Sequence, residues 1–207
     1  MKYYDFAIQK NPQISYYYDN KAFVLNSLNR LEEALENYNL AIQKNPEDAD
    51  YYSNKAAILN SMNRLEEALK NYNLAIQIKP YVSHYYNQKA SVLEKMNRLE
   101  EALKNYNLAI QINPEDPEYY NNKACVLQKL NRLEEALKNY NLSILKNPEN
   151  SDYYYKKAQI LQKMNRLEEA EKCFNLSNEL VLKAQNCHTK TNLDNSNYHS
   201  ILQDFHQ

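Results

Sequence analysis

The chain has 207 residues, with 25 basic against 26 acidic side chains and a net charge of -1, a balance that argues against a dedicated nucleic-acid binder. It holds no Gly and no Trp but 20 Tyr, which excludes a Gly-rich phosphate loop and a Gly-x-Ser-x-Gly nucleophile elbow. Mean hydropathy is -0.84, and no apolar run reaches the ~18–20 residues of a membrane span, so no membrane insertion is expected.

Residues 1–10 read as one short helix, with Tyr4, Ala7 and Ile8 on one face and no long apolar stretch of the kind a secretory leader carries. From there the chain repeats itself. The phrase Asn-Arg-Leu-Glu-Glu-Ala begins at Asn29, Asn63, Asn97, Asn131 and Asn165, a step of 34 residues. Proline keeps the same beat at Pro12, Pro46, Pro80, Pro114 and Pro148, and Pro117 alone falls outside it. Five full repeats span 15–48, 49–82, 83–116, 117–150 and 151–184; residues 1–14 match the second half of a preceding repeat, and 185–207 match nothing.

Each repeat reads as two helices. In the first, Tyr18, Ala22, Leu25 and Leu28 fall at helical spacing, and Leu31, Ala34, Leu35, Tyr38, Ala41 and Ile42 form a second stripe. Pro46 stops the second helix, because proline lacks a donor and clashes with the preceding turn. Asn29 has two readings. It ends the first helix in the left-handed conformation, or it caps the second helix with Glu32 closing a capping box. Neither stripe can be buried within one helix pair, so neighbouring repeats must stack. Ala22, Ala34 and Ala41 let helices approach closely, while Ser143 and Ser177 replace the last of these alanines in repeats four and five.

On these residues the chain resembles the tetratricopeptide repeat family over residues 1–184. With Ser15 as position 1, the family's aromatic at position 4 is Tyr18, Tyr52, Tyr86, Tyr120 and Tyr154, and its small residue at position 8 is Ala22, Ala56, Ala90, Ala124 and Ala158. Position 20 is Ala34, Ala68, Ala102, Ala136 and Ala170; position 24 is Tyr38, Tyr72, Tyr106, Tyr140 and Phe174; position 32 is proline four times and Leu182 in the fifth. Two departures recur. Lysine occupies position 7 (Lys21, Lys55, Lys89, Lys123, Lys157) where the family usually has leucine, and asparagine stands where it has glycine. The lysine stems are expected to lie along apolar surface with their ammonium groups in water. The resemblance implies an all-α fold, a right-handed superhelical solenoid of antiparallel helix pairs.

A lone helix of ~10 residues is marginal unless packed, so residues 1–14 must dock on the first repeat. The outer face of that half repeat lacks the partner a full array would supply. The preferred reading is a fragment of a longer array; the other is that this face meets a partner or a second copy. At the far end the last helix is expected to run through Leu180, Val181 and Leu182 towards Ala184, since no proline stops it. In the polar tail Ile201, Leu202 and Phe205 fit a short capping helix, with disorder as the alternative.

Chemistry is sparse. His84, His188, His199 and His206 have no Cys or carboxylate partners at ligand spacing, so no metal and no cofactor is expected. Cys125, Cys173 and Cys187 make no disulfide framework, which fits a cytoplasmic chain with the nucleus also open. Adjacent acids such as Glu32 and Glu33 diverge by about 100° around a helix and cannot converge on one bond. They read as first-turn acids favoured by the helix dipole. The glycosylation sequons at Asn141 and Asn175 fall inside helices and read as coincidental. No catalytic constellation emerges, and the chain reads as non-enzymatic.

The resemblance implies that the first helices line a concave groove, with positions 2, 5, 6, 9, 12 and 13 facing it. Position 6 is then Asn20, Asn54, Gln88, Asn122 and Lys156, and position 5 includes Asn87 and Asn121. First helices ~8–10 Å apart would present one carboxamide to about every third residue of an extended peptide rising ~3.3 Å per residue. A carboxamide both donates and accepts, so such a ladder can read peptide backbone. Position 13 turns basic along the chain (Ser27, Ser61, Lys95, Lys129, Lys163), opposite a mostly acidic position 2 (Tyr16, Asp50, His84, Glu118, Asp152). A ligand of mixed charge with moderate salt dependence is expected. The function expected is a scaffold or adaptor holding an extended protein or peptide segment. Two alternatives are a co-chaperone of the carboxylate-clamp type and the recognition arm of a larger enzyme or complex. The clamp fits poorly, since of Asp19, Phe23, Asn54, His84 and Gln88 only Asn54 matches it.

Overall fold

A computed structural model describes the backbone of residues 2–204 and the side chains of residues 2–185. Among the described residues there are eleven α-helices and no strand: α1 (Lys2–Lys10), α2 (Ser15–Ser27), α3 (Leu31–Lys44), α4 (Ala49–Ser61), α5 (Leu65–Ile78), α6 (Ser83–Lys95), α7 (Leu99–Ile112), α8 (Pro117–Lys129), α9 (Leu133–Lys146), α10 (Ser151–Lys163) and α11 (Leu167–Asp204). From α2 onward they pack as hairpins, and each second helix also packs on the first helix of the next repeat. The result is an all-helical solenoid of about five repeats plus a partial one.

The turn inside each hairpin resolves the two readings of its asparagine. Asn29, Asn63, Asn97, Asn131 and Asn165 all stand at φ between 57 and 59°. The backbone N–H of Asn29 donates to the Asn26 carbonyl at 2.8 Å, and that of Arg30 donates to the Leu25 carbonyl at 2.9 Å. These two bonds make a Schellman motif, which satisfies carbonyls that the end of α2 would otherwise leave unpaired. The same pair recurs in every repeat, at 3.0 and 2.9 Å around Asn97 and Arg98. The capping-box alternative fails, because the N-cap of α3 is Arg30 and has no side-chain cap bond. Its guanidinium instead grips Glu33 through two bonds of 2.6 Å, one residue beyond the acid a box would use.

Small residues set the helix spacing. Ala22, Ala56, Ala90, Ala124 and Ala158 are fully buried against Ala34 and its counterparts, and Leu25, Leu59, Leu93, Leu127 and Leu161 fill the space beside them. One continuous core runs from Ala22 to Ile160. Tyr38, Tyr72, Tyr106 and Tyr140 are buried along it. Where serine replaces alanine, its hydroxyl finds a carbonyl: Ser143 donates to Tyr140 at 2.9 Å and Ser177 to Ser151 at 2.9 Å. The position 7 lysines are half-buried. Desolvation pulls the ammonium groups of Lys55, Lys89 and Lys123 below their ordinary pKa.

The ends differ from the middle. No residue of α1 is fully buried; Ile8 packs against Tyr18, Ala41 and Tyr51, and Asp5 pairs with Lys21 at 2.8 Å. Tyr3 and Phe6 stay exposed. At the other end Leu182 stands where the other repeats have proline, and α11 continues as one helix to Asp204. The side chains of Ile201 and Leu202, and Phe205 altogether, lie outside the described residues. Among the described residues no helix is long and apolar enough to cross a membrane.

Two outcomes follow from the turn. Asn97→Val, which forces a β-branched residue into the left-handed region, is expected to cost about 1–2 kcal/mol in urea unfolding, while Asn97→Gly is expected to stabilise slightly. Equal shifts for both would contradict the left-handed role. The Arg hydrogen bond holds Glu33, Glu67, Glu101, Glu135 and Glu169 below the ordinary glutamate value of 4.5. A carboxyl depressed by folding contributes stability above that ordinary value and loses it as the pH falls through the folded value. Replacing all five by Gln is therefore expected to lower the thermal midpoint modestly near neutral pH and to leave it unchanged at pH ~2.

Candidate peptide-binding groove

The first helices α2, α4, α6, α8 and α10 share one side of the solenoid. There α4 touches α6 and α6 touches α8 directly, which makes this the inner side of the curve. Asn54 is exposed on it, and Asn20, Gln88, Asn122 and Lys156 are half-buried.

These residues form cross-repeat links rather than five independent groups. Asn54 Nδ2 donates to Asp19 Oδ1 at 3.3 Å, Asn122 Nδ2 to Asn87 Oδ1 at 3.1 Å, and Lys156 Nζ to Asn121 Oδ1 at 3.3 Å. In each case position 6 reaches position 5 of the preceding repeat. Asn121 Nδ2 also donates to Asn122 Oδ1 at 3.2 Å, and Lys156 pairs with Asp152 at 2.6 Å. Asn87, Asn122, Asn121, Lys156 and Asp152 thus form one polar chain across three helices. Asn20 and Gln88 turn back on their own helices, to the Tyr16 carbonyl at 2.8 Å and to His84 Nε2 at 3.3 Å. Each linked amide keeps a second N–H, and Asn54 keeps its carbonyl. Burial raises the Asp19 carboxyl pKa, with the Asn54 bond opposing the shift.

The charged rows are tied down as well. Lys95 reaches Asn60 Oδ1 at 2.7 Å and Lys129 reaches Glu94 Oε1 at 2.9 Å, each one repeat back. The Lys163 side chain makes no hydrogen bond or ion pair among the described residues. In the acidic row Asp50 accepts from Tyr85 and from Lys79 at 3.2 Å, and Glu118 accepts from Tyr153.

Sequence reasoning missed the tyrosines at position 3. Tyr51, Tyr85, Tyr119 and Tyr153 are buried, and each hydroxyl meets the start of the preceding first helix. Tyr51 meets Ser15 and Tyr119 meets Ser83, both at 3.0 Å, whereas Tyr85 and Tyr153 donate to the carboxylates Asp50 and Glu118. A readable signal existed. In the four first helices that these tyrosines reach, Ser15 and Ser83 at position 1 are followed by no acid, whereas Ala49 and Pro117 are followed by Asp50 and Glu118. The family aromatic at position 4 works differently: Tyr18, Tyr86 and Tyr120 donate to the carbonyls of Pro12, Pro80 and Pro114 at 3.0–3.1 Å. Among the described residues no group of three His, Cys, Asp or Glu is placed to hold a metal.

Profiles of known families match most of this array. Those described as TPR repeat match residues 24–60 and 90–131. Those described as tetratricopeptide repeat match 49–81, 117–150 and 139–172. Among solved structures, MamA from Desulfovibrio magneticus RS-1 superposes with a TM-score of 0.75 at 16% identity, over 82% of this chain and 96% of that one. PilF of Pseudomonas aeruginosa gives 0.74 at 18% identity, over 81% of this chain and 77% of that one. YrrB, described as a TPR protein with an unusual peptide-binding site, gives 0.67 at 22% identity, over 88% and 97%. At these identities the likeness establishes the fold alone. No curated protein matches the chain.

The tyrosine links make a direct prediction. Tyr85→Phe and Tyr153→Phe each remove a donor from a carboxylate and are expected to cost about 1–3 kcal/mol, against about 0.5–1.5 for Tyr120→Phe, which serves a neutral carbonyl. Guanidinium unfolding of the three variants checks the order.

Proposed function

The chain belongs to the tetratricopeptide repeat family, and on that premise we propose that it is a non-enzymatic scaffold that holds an extended segment of a partner protein along its inner groove. The observation that carries this reading is the row of side-chain amides held at position 6. Asn54 and Asn122 are oriented by bonds to the preceding repeat, so their remaining N–H groups need little ordering when a ligand arrives. An extended peptide rises ~3.3 Å per residue, so helices ~8–10 Å apart meet it at about every third residue. Amides so spaced can pair with backbone N–H and C=O groups whatever the ligand's sequence, leaving side-chain selection to positions 9, 12 and 13. The partial use of these amides within the protein lowers the number of bonds each can offer. It also removes the cost of fixing them.

The test compares the wild-type chain with an Asn20→Ala, Asn54→Ala, Asn122→Ala variant against a displayed pool of random peptides, after circular dichroism has checked that helix content is intact. Peptides enriched by the wild type are expected to bind the variant about tenfold more weakly, the effect of two or three modest hydrogen bonds. Unchanged affinity would remove the amide row from the binding site.

A further inference from the structure

The C-terminal end of the groove departs from the rest. Position 6 is an amide in repeats one to four but Lys156 in the fifth, and position 9 becomes Gln159 after Phe23, Ala57, Ser91 and Cys125. Between α8 and α10 these changes line a concavity of about 310 Å³, with Gln128, Lys129, Lys156, Gln159 and Lys163 on its walls. A second concavity of about 440 Å³ shares Gln128, Gln159 and Lys163 with it.

The charges do not cancel. Lys129 is matched by Glu94 at 2.9 Å and Lys156 by Asp152 at 2.6 Å, which leaves the Lys163 ammonium without a partner among the described residues. The side-chain amides of Gln128 and Gln159 are likewise unpartnered among the described residues, and each carries two N–H donors. One uncompensated positive charge beside four free N–H groups complements a group with one negative charge and two acceptor oxygens. A phosphate, at about -1.5 to -2, would call for more charge than this, and no arginine fork lines the concavity.

We propose that this concavity is a carboxylate site that fixes the register of an extended peptide in the groove, with Lys163 as its charge partner and Gln128 and Gln159 as its amide donors. This rests on the groove reading above. It supplies what the amide row lacks: near-identical rungs let a backbone slip by about three residues at little cost, and one distinct pocket at the end of the row breaks that degeneracy. The carboxylate comes from an acidic side chain or from a peptide C-terminus.

Three pools of fluorescent peptides, equal in length and acetylated at the N-terminus, separate the cases by anisotropy. The first is acid-free with an amidated end, the second acid-free with a free carboxylate end, and the third amidated with one fixed Glu. They are titrated with the full chain, with Lys163→Gln and with Lys104→Gln, which removes an exposed charge from the second helix α7. One of the carboxylate pools is expected to bind about tenfold more tightly than the neutral pool, as a charge-assisted bond provides, with the advantage shrinking in high salt. Which pool gains identifies the source of the carboxylate. The advantage is expected to vanish in Lys163→Gln and to persist in Lys104→Gln.

Equal binding of all three pools, or an advantage that survives Lys163→Gln, overturns the carboxylate site. Inorganic phosphate competing more strongly than acetate at matched ionic strength overturns the assignment to carboxylate. The Asn20→Ala, Asn54→Ala, Asn122→Ala variant separates the two readings. If it keeps both neutral binding and the carboxylate advantage, the groove reading fails alone. If the pools bind equally and all weaken in that variant, the carboxylate site fails alone. Absence of binding by every pool overturns both.

Discussion

The left-handed asparagine at the end of each first helix is the constraint on which the rest depends. Each reversal here takes three residues and passes through one at positive φ, a position glycine usually fills, and this chain has no glycine. Asparagine accepts that conformation at lower cost than other side chains. The Schellman bonds then fix where the second helix starts. That start brings Ala22 against Ala34 and leaves Arg30 facing Glu33. Five turns at nearly the same φ give five hairpins of nearly the same angle, and only equal hairpins can stack into one continuous core.

Equal stacking has a second consequence. A group on one first helix meets the same partner position one repeat away each time, so links recur at separations of 35 or 36 residues: Ser15 with Tyr51, Asp19 with Asn54, Lys95 with Asn60. The inner surface is held together by the polar groups that would recognise a ligand. Under the proposed function, cohesion between repeats and recognition would be coupled through shared side chains. In an array whose stability is a sum of neighbour terms, an end has one neighbour fewer. That matches α1, which has no fully buried residue and is held by Ile8 and one ion pair.

Much of this architecture was legible in the residues. The 34-residue beat, the alanines and the prolines define the helices, and the missing proline at Leu182 foretells that α11 runs on towards Ala184, though not its continuation to Asp204. The role of Asn29 was not legible, because Asn suits both a left-handed turn and a helix cap, and only the backbone angle separates them. The candidate site was legible as a set of positions and not as a set of bonds. Which partner Asn122 or Lys129 finds depends on how far one repeat is rotated against the next, a quantity no single repeat encodes. The tyrosines were hidden by adjacency: Tyr51 and Tyr52 look alike in the sequence, yet one reaches Ser15 and is buried while the other is only half-buried.

Differences between repeats are as informative as their likeness. Helices α5 and α7 have the same fourteen-residue sequence, LEEALKNYNLAIQI. The first helices between and around them change at positions 1, 2, 5, 6, 9, 12 and 13, and exchange Val for Ile at position 10. Stacking demands sameness, since each second helix must meet the next repeat at one angle. The inner face is freer, because a side chain there has solvent rather than a close-packed neighbour on one side. Most of the divergence among these first helices falls on that face, and under the proposed function it would distinguish one end of a bound segment from the other. Lysine at both positions 6 and 13, with glutamine at 9, occurs together only in the fifth repeat. A uniform array would bind a backbone in several registers of equal energy, and a change at one end is enough to make one of them lowest.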